Sequence, residues 1–392
     1  MNIPVMPPEV VRKPMPERTS RLGWILFVLG VVAALATYAV DPRRGAFDNL
    51  ILFLAIVSLA VGSLFFVALE YIAGAVWSVP LRRVNEFLAG LVPLTPVLAI
   101  PLFFQLHELF DWSHATAADP VLASKSSYLN IEFLVIRFVV VSAIWILFYL
   151  VFTRNSTRQD VTRESKLTTW NIRLSALFMP VFAVTITIIA VDWAMSLEAH
   201  WYSTIFGVYY FSASVLAAIA AATLVVILMQ EGGYLPWLRR DHLYSLGALM
   251  FAFVNFWAYI AFSQFLLIWY ANLPEETFWF MRRWQHGWEY VSVLLIIVHF
   301  AVPYFALLSQ DSKMDPKRLK FIAIWILAAH LLDVYWLVMP TYSETVSVGW
   351  MELSIPLIIA GAGITVFSYK MRRENLVPVG DPKLERGLSF RL

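Results

Sequence analysis

Stretches of mostly apolar residues alternate with short polar connections along the whole chain. A helix needs roughly 20 such residues to cross the hydrocarbon core of a membrane. The pattern predicts ten membrane-spanning helices, over residues 23–40, 50–71, 87–106, 131–152, 174–195, 202–230, 243–271, 286–308, 319–339 and 351–370. The first stretch follows a basic, proline-rich head and lacks a small-residue cleavage site, so we interpret it as a retained helix rather than a signal peptide.

The basic residues fall unevenly on the two sides of this predicted topology. Of the 29 Lys and Arg residues, 23 lie on the side of the two termini, five lie on the other side, and Arg137 lies inside predicted helix 4. Because Lys and Arg accumulate in short loops on the cytoplasmic side, both termini are predicted to be cytoplasmic. A missed or additional helix would abolish this asymmetry, so the charges support the count of ten.

Composition agrees with a membrane protein, since 60% of the residues are hydrophobic and 14% are charged, against about 25% charged residues in soluble proteins. The chain has no Cys. This excludes disulfides, iron–sulfur ligation and covalent c-type haem attachment within the chain. Any redox chemistry would belong to a bound small molecule or to partner subunits. The net charge of +2 gives no indication of nucleic-acid binding.

An internal repeat emerges when the chain is aligned with itself at a shift of 157 residues. The aligned positions are Leu81-Arg82-Arg83 with Leu238-Arg239-Arg240, Gly90 with Gly247 and Glu132 with Glu289. When the shorter loop between helices 8 and 9 is allowed for, Asp192 aligns more weakly with Asp333. We predict an all-α fold with two parallel four-helix bundles, 50–200 (helices 2 to 5) and 201–340 (helices 6 to 9). Segments 23–49 and 341–370 would carry the peripheral helices 1 and 10. Residues 1–22 would form a cytoplasmic head, and residues 371–392 a cytoplasmic tail that is solvated or docks a partner. Chance similarity between apolar segments is the alternative explanation.

Ionisable residues inside the predicted helices mark candidate functional positions, because a charge at the bilayer centre costs roughly 2.5 to 3.5 kcal/mol. Arg137, Asp192, His330 and Asp333 lie within apolar runs in the outer half. Glu132, His286 and Glu289 lie at outer helix ends, where interfacial water also explains them. These residues favour a pocket in which a lipid-soluble molecule exchanges protons with the outer aqueous phase. The alternative is that Glu132 and Arg137 pair with each other.

The predicted inner half contains Glu70, Glu231 and His299. One interpretation is that these residues begin a proton path from the cytoplasm. For the two acids we favour the other interpretation, in which they lie at the interface beside Arg82/Arg83 and Arg239/Arg240. His299 and His330 are predicted to differ in depth by roughly 10 Å, which makes them a poor pair of haem ligands. We therefore predict no haem.

One other cluster has metal-like spacing. His107, Asp111 and His114 with Glu108 follow an i, i+4, i+7 pattern, but a solvated polar turn explains it better, and we predict no metal site. Aromatic residues in 251–265 could line a flat quinone ring, although aromatic periodicity alone does not distinguish this from core packing.

Three segments carry a family resemblance: 192–207 (DWAMSLEAHWYSTIFG), 256–270 (FWAYIAFSQFLLIWY) and 333–340 (DVYWLVMP). They resemble the membrane subunits of the polysulfide-reductase (NrfD-like) type. More narrowly, they are similar to the smaller of the two such subunits in bacterial alternative complex III. The resemblance covers predicted helices 2 to 10 and is most specific over helices 5 to 7.

The resemblance implies a subunit of the bacterial inner membrane without redox centres of its own, in a complex that oxidises menaquinol or ubiquinol. Implied partners are a larger sister membrane subunit, an iron–sulfur protein, multi-haem c-type cytochromes and lipids. The quinol would dock near Asp192, with Asp192, His330 and Asp333 as proton carriers. Glu132, Arg137, His286 and Glu289 would orient them or line the exit. A structural or proton-conducting subunit without quinol, and a secondary transporter, are the alternatives.

Overall fold

The computed structural model describes residues 12–114 and 119–392, and this part of the chain is helical without strands. Ten helices are long and apolar enough to cross a membrane, which confirms the predicted all-α, multi-pass membrane fold. They are α1 (Glu17–Val40), α2 (Pro42–Ala73), α3 (Val79–Phe103), α4 (Ile131–Thr162), α5 (Ser165–Trp193), α6 (Phe206–Glu231), α7 (Arg240–Ala271), α8 (Trp288–Ala306), α9 (Pro316–Tyr342) and α10 (Met351–Arg373).

The face that carries residues 12–16 and 374–392 is called the terminal face, and the opposite one, with residues 104–114, 119–130, 194–205 and 272–287, the distal face. Several helices extend beyond their predicted ends, because hydropathy detects only the apolar part of a helix. The predicted connection 153–173 is almost entirely helical. Only a short turn at Arg163, whose φ is 55°, separates α4 from α5.

The centre of the molecule is the contact between α2 and α6, which are buried along most of their length. Ser214 Oγ lies 3.0 Å from Ser58 Oγ, and Tyr210 Oη donates to the Leu54 carbonyl at 2.7 Å. Both pairs are 156 residues apart. The separation is one residue less than the 157-residue shift of the sequence repeat, so nearly equivalent positions of α2 and α6 touch each other.

Each central helix is surrounded by its own partners. In the first bundle, α2 packs on α3 and α5, and α4 packs on α5. In the second bundle, α6 packs on α7 and α9, and α8 packs on α9 and α7. The peripheral helices α1 and α10 pack closely on each other, since a Cβ atom at Gly361 would lie 2.3 Å from the backbone nitrogen of Phe27.

Two spanning helices are irregular. Helix α3 changes to a 3₁₀ helix over Ala89–Leu94, which contains Pro93. Helix α8 widens to a π-helix over Ile296–Ala301. Such π segments inside α-helices are frequent at functional sites.

The polar tail after α10 packs on the chain itself, so the expectation of a solvated end is wrong. Leu376 and Val377 are fully buried. Arg82 pairs with Asp381 at 2.5 Å, and Arg83 pairs with Asp160 at 2.6 Å while Asn375 donates to the same carboxylate. These contacts hold the tail against the terminal ends of α3 and α4.

Candidate functional site

A cavity of about 590 Å³ lies in the second bundle, between α7, α8 and α9. This volume is typical of small-molecule sites. Its wall is mostly aromatic, and its polar contributions come from Tyr209, Asn255, Gln264 and Ser292. Tyr209 and Trp257 line one side of the cavity, and Phe280 and Trp284 line it near the distal face.

One wall of the cavity faces the surroundings of the helix bundle. Tyr259 and Phe262, which line the cavity, are 66% and 61% exposed, and Ile296 on α8 is also exposed. These side chains lie on membrane-spanning helices, so their exposed surface is the surface that meets lipid. An apolar ligand dissolved in the bilayer would reach the cavity between α7 and α8.

A buried carboxylate lies behind two residues of the cavity wall. Asp333 on α9 accepts a hydrogen bond from Tyr209 Oη and a second bond from Trp257 Nε1 at 3.3 Å. Tyr209 and Trp257 themselves line the cavity. Within the described part of the chain, no Lys or Arg lies at ion-pair distance from Asp333. Two residues of the cavity lining are therefore hydrogen-bonded to an acid that has no cationic partner among the described residues.

Two buried imidazoles adjoin this acid. His299 stacks on Trp257 with ring centroids 4.0 Å apart. One ligand atom from each of His299, His330 and Asp333 lies within 4.8 Å of the others. Neither ring nitrogen of either histidine has a hydrogen-bond partner in the described structure. Because buried polar atoms are almost always satisfied, this small polar cluster is a place for water or an exchanging proton.

The expected 10 Å difference in depth between His299 and His330 is wrong. His299 is the eleventh residue after the start of α8 at Trp288, and His330 lies twelve residues before the end of α9 at Tyr342. Both lie about 17 Å from the distal helix ends. The error arose at both helix ends. Helix α9 continues for three residues beyond its predicted end at 339, which places His330 deeper, and α8 starts two residues after its predicted start at 286, which places His299 less deep.

Two imidazoles and a carboxylate form a donor set that transition metals accept. A metal-bound histidine, however, normally donates its second ring nitrogen to a carboxylate, carbonyl or water. Each ring here would leave that nitrogen without a protein partner. This arrangement fits a proton site better than a metal centre. The other candidate, around His107 and His114, forms a surface turn in which His114 Nε2 contacts the His107 carbonyl at 3.0 Å.

In the first bundle, the equivalent acid is paired with a basic residue. Asp192 near the distal end of α5 forms a two-pronged pair with Arg137, with nitrogen to oxygen distances of 2.8 and 3.0 Å. Arg137 also donates to the Tyr128 carbonyl and stacks on that ring. Burial and the Asp192 charge raise the pKa of Tyr128 to about 12. The alternative pairing of Glu132 with Arg137 is therefore replaced by a buried Asp192–Arg137 pair.

Aromatic side chains fill the interior beside this pair. The Trp193 ring packs against Phe53, Phe103 and Phe138, with centroids 5.1, 5.5 and 5.6 Å away. All of these elements belong to the first bundle. Asp192 is thus buried against Arg137 in the first bundle and does not share a site with His330 and Asp333.

The remaining predicted residues lie near the ends of the spanning helices. Glu132 and His286 are exposed at the distal face, and Glu289 accepts the Gly287 amide at 2.9 Å at the start of α8. On the terminal side, Glu70 pairs with Arg82 at 2.5 Å, and Glu231 pairs with Lys320 at 2.6 Å. The structure places these acids beside basic partners or at helix ends, and none of them lines the cavity.

Sequence reasoning missed Tyr209 and Arg283 as site residues. Tyr209 lies in an apolar run, and Arg283 enters the topology only as a loop charge. Trp257 belongs to the aromatic stretch that the sequence analysis considered as a wall for a quinone ring, but the sequence alone did not distinguish that role from core packing.

The fold and the cavity define a multi-pass α-helical membrane protein with an apolar, laterally exposed site next to a buried acid. No protein-family model matches the chain, and no curated protein matches it.

Proposed function

We propose that this chain is a quinol-binding membrane subunit of a bacterial oxidoreductase of the polysulfide-reductase type, and that the quinol ring occupies the second-bundle cavity. The observation that carries the proposal is an aromatic cavity, open toward lipid, whose lining residues Tyr209 and Trp257 donate to Asp333. The proposal moves the quinol from Asp192 to Asp333, because Asp192 is engaged by Arg137.

The chemistry needs a proton acceptor next to a flat, apolar binding space. Oxidation of a quinol releases two protons and two electrons. Tyr209 gives its hydroxyl proton to an ionised Asp333 and takes a proton from the quinol hydroxyl in the same step. The quinol proton is thus passed on through Tyr209, and the carboxylate does not need to enter the cavity. His299 and His330 extend the acceptor beyond Asp333. The electrons pass to redox centres of partner subunits.

The family resemblance and the charge asymmetry supply the setting. The chain would lie in the bacterial cytoplasmic membrane with the terminal face in the cytoplasm, so the cavity would open in the outer half. Partners would be a larger sister membrane subunit, an iron–sulfur protein and multi-haem c-type cytochromes, together with lipids. The quinone is of the menaquinone or ubiquinone class.

A cavity-filling substitution tests the proposal directly. Ala258 lines the cavity, so Ala258→Trp should abolish saturable binding of a short-chain quinone to the full chain in lipid nanodiscs. Ala176→Trp on α5 is the matched control, because Ala176 is exposed on a spanning helix of the first bundle. Unchanged quinone binding in Ala258→Trp, or no binding by the wild-type chain, would contradict the proposal and favour a scaffold or proton-conducting subunit.

A secondary transporter is the weaker alternative. Parallel-repeat transporters place broken helices at corresponding positions of both halves. Here the 3₁₀ break lies in α3, whereas its repeat equivalent α7 is one continuous α-helix.

A further inference from the structure

Arg283 occupies an unusual position between α7 and α8. Its side chain is fully buried directly after the short helix Pro274–Arg282 at the distal face. The guanidinium donates to three carbonyl oxygens, those of Trp279 at 3.0 Å, Trp336 at 3.2 Å and Leu337 at 2.8 Å. These neutral acceptors satisfy its hydrogen bonds without neutralising its charge.

No carboxylate of the described residues lies at ion-pair distance from Arg283. The acid of this region, Glu198, is bound by Arg282 and accepts a bond from Thr341. Burial lowers the pKa of Arg283 to about 9, with the Glu198 charge opposing the shift. Arg283 is therefore still cationic at neutral pH, and its charge is uncompensated by a contacting acid.

This cation lies directly behind the cavity wall. The guanidinium carbon is 3.5 Å from the Trp279 ring centroid and 5.1 Å from that of Trp336, which lines the cavity. Ser292, another lining residue, accepts from Trp336 Nε1 at 2.8 Å and donates to the Arg283 carbonyl at 2.8 Å. Only one layer of side chains separates the charge from the bound ring.

The cation and the acid Asp333 thus lie behind the same part of the cavity wall. Trp336, which contacts Arg283, is one turn from Asp333 on α9, and Tyr209, which donates to Asp333, interacts electrostatically with Arg283. In an apolar setting, a nearby positive charge favours the ionised form of an acidic ligand. A quinol hydroxyl that gives its proton toward Tyr209 and Asp333 leaves an oxygen anion on the ring. The charge of Arg283 lies on the side where that anion would be stabilised.

We propose that Arg283 makes the cavity selective for the anionic form of hydroxylated quinone rings, and so promotes loss of the first quinol proton. This inference rests on the proposed function, because it assumes that the cavity takes such a ring. The step is a proton transfer alone: the quinol O–H bond breaks, the proton goes to the Tyr209–Asp333 pair, and no electron moves until the anion has formed. Arg283 acts through space as an electrostatic positioning residue.

The test measures two probes on the full chain in lipid nanodiscs at neutral pH. One is an acidic hydroxynaphthoquinone, which is ionised under these conditions, and the other is its uncharged O-methyl ether. We expect the wild-type chain to bind the ionised probe at least about tenfold more tightly, since a nearby charge changes ionisation equilibria by roughly 1 to 3 pKa units. Arg283→Lys should retain most of this preference, and Arg283→Gln should lose it.

The outcomes separate this inference from the proposed function. Equal affinity of the wild-type chain for both probes overturns the role of Arg283 and leaves quinone binding intact. Failure of both probes to bind the wild-type chain overturns the proposed function and this inference together. Equal loss of preference in Arg283→Lys and Arg283→Gln would show that the three carbonyl contacts matter rather than the charge. The wild-type ratio itself needs no variant, so it remains decisive if Arg283→Gln does not fold.

Discussion

The two bundles share one helical plan but differ in what their interiors contain. In the first, Asp192 is paired with Arg137 and the adjoining space is packed with the rings of Phe53, Phe103 and Trp193. In the second, Tyr209 and Trp257 are the only hydrogen-bond donors to Asp333 among the described residues, and the adjoining space is a cavity. In a repeated fold, one bundle can thus have a structural role while the other bundle keeps an acid without a cationic partner beside a binding cavity.

The difference follows from how each acid is stabilised. Removing one partner of a buried ion pair leaves an uncompensated charge, so the Arg137–Asp192 pair is fixed by its own geometry. Asp333 has no cation to hold it ionised, and its proton affinity responds to whatever lies in the cavity. Groups of this second kind are suited to proton exchange.

The largest expected effect is on turnover. In the assembled complex, Asp333→Asn should lower the rate of quinol oxidation by about 100-fold or more, because a positioned proton acceptor contributes roughly 10²- to 10⁴-fold. The matched control is the double variant Arg137→Gln with Asp192→Asn, which removes both charges from the first bundle. The rate of steady-state quinol oxidation is measured for both variants. An equal loss of rate in the control would contradict the assignment of proton transfer to the second bundle alone.

The next effect is on stability. Arg137→Gln alone should destabilise the chain by about 3 to 5 kcal/mol, since it leaves the Asp192 carboxylate buried without its cation. The double variant with Asp192→Asn should recover most of this loss. Unfolding in mild detergent, followed by circular dichroism, gives both values. If the single and double variants were equally unstable, the pair would not be the stabilising unit of the first bundle.

The aromatic side chains of the two bundles should respond in opposite ways. Phe138→Ala removes a buried ring from the first bundle and should cost about 3 to 5 kcal/mol of unfolding free energy. Phe262→Ala removes an exposed ring from the cavity wall, so it should weaken quinone binding while changing stability by less than about 1 kcal/mol. The unfolding free energy and the quinone affinity, measured for both variants, check this prediction. A stability loss in Phe262→Ala as large as that in Phe138→Ala would contradict it.

The smallest effects are expected at the distal rim. Glu132 is exposed and Glu289 accepts only a backbone amide at the start of α8. Glu132→Gln and Glu289→Gln should each change stability by less than about 0.5 kcal/mol and alter quinol oxidation by less than twofold. A tenfold loss of activity in either would extend the site to the rim.

The sequence predicts the ten helices well, because apolar length and the positions of Lys and Arg report directly on the membrane. Helix ends are predicted less well, since polar extensions such as 153–162 of α4 carry no apolar signal. The depth of His330 was wrong for the same reason. The pairing of Arg137 with Asp192 and the cavity next to Asp333 depend on how helices pack, which one sequence does not specify.

The most direct test of the account is to locate a bound quinone on the chain. A photoreactive quinone should label the full chain in nanodiscs on α7 and α8, at cavity residues such as Tyr259, Phe262 and Ile296, and excess unlabelled quinone should suppress the labelling. Labelling confined to α4 and α5 near Asp192, or labelling that excess quinone does not suppress, would contradict the assignment of the site to the second bundle.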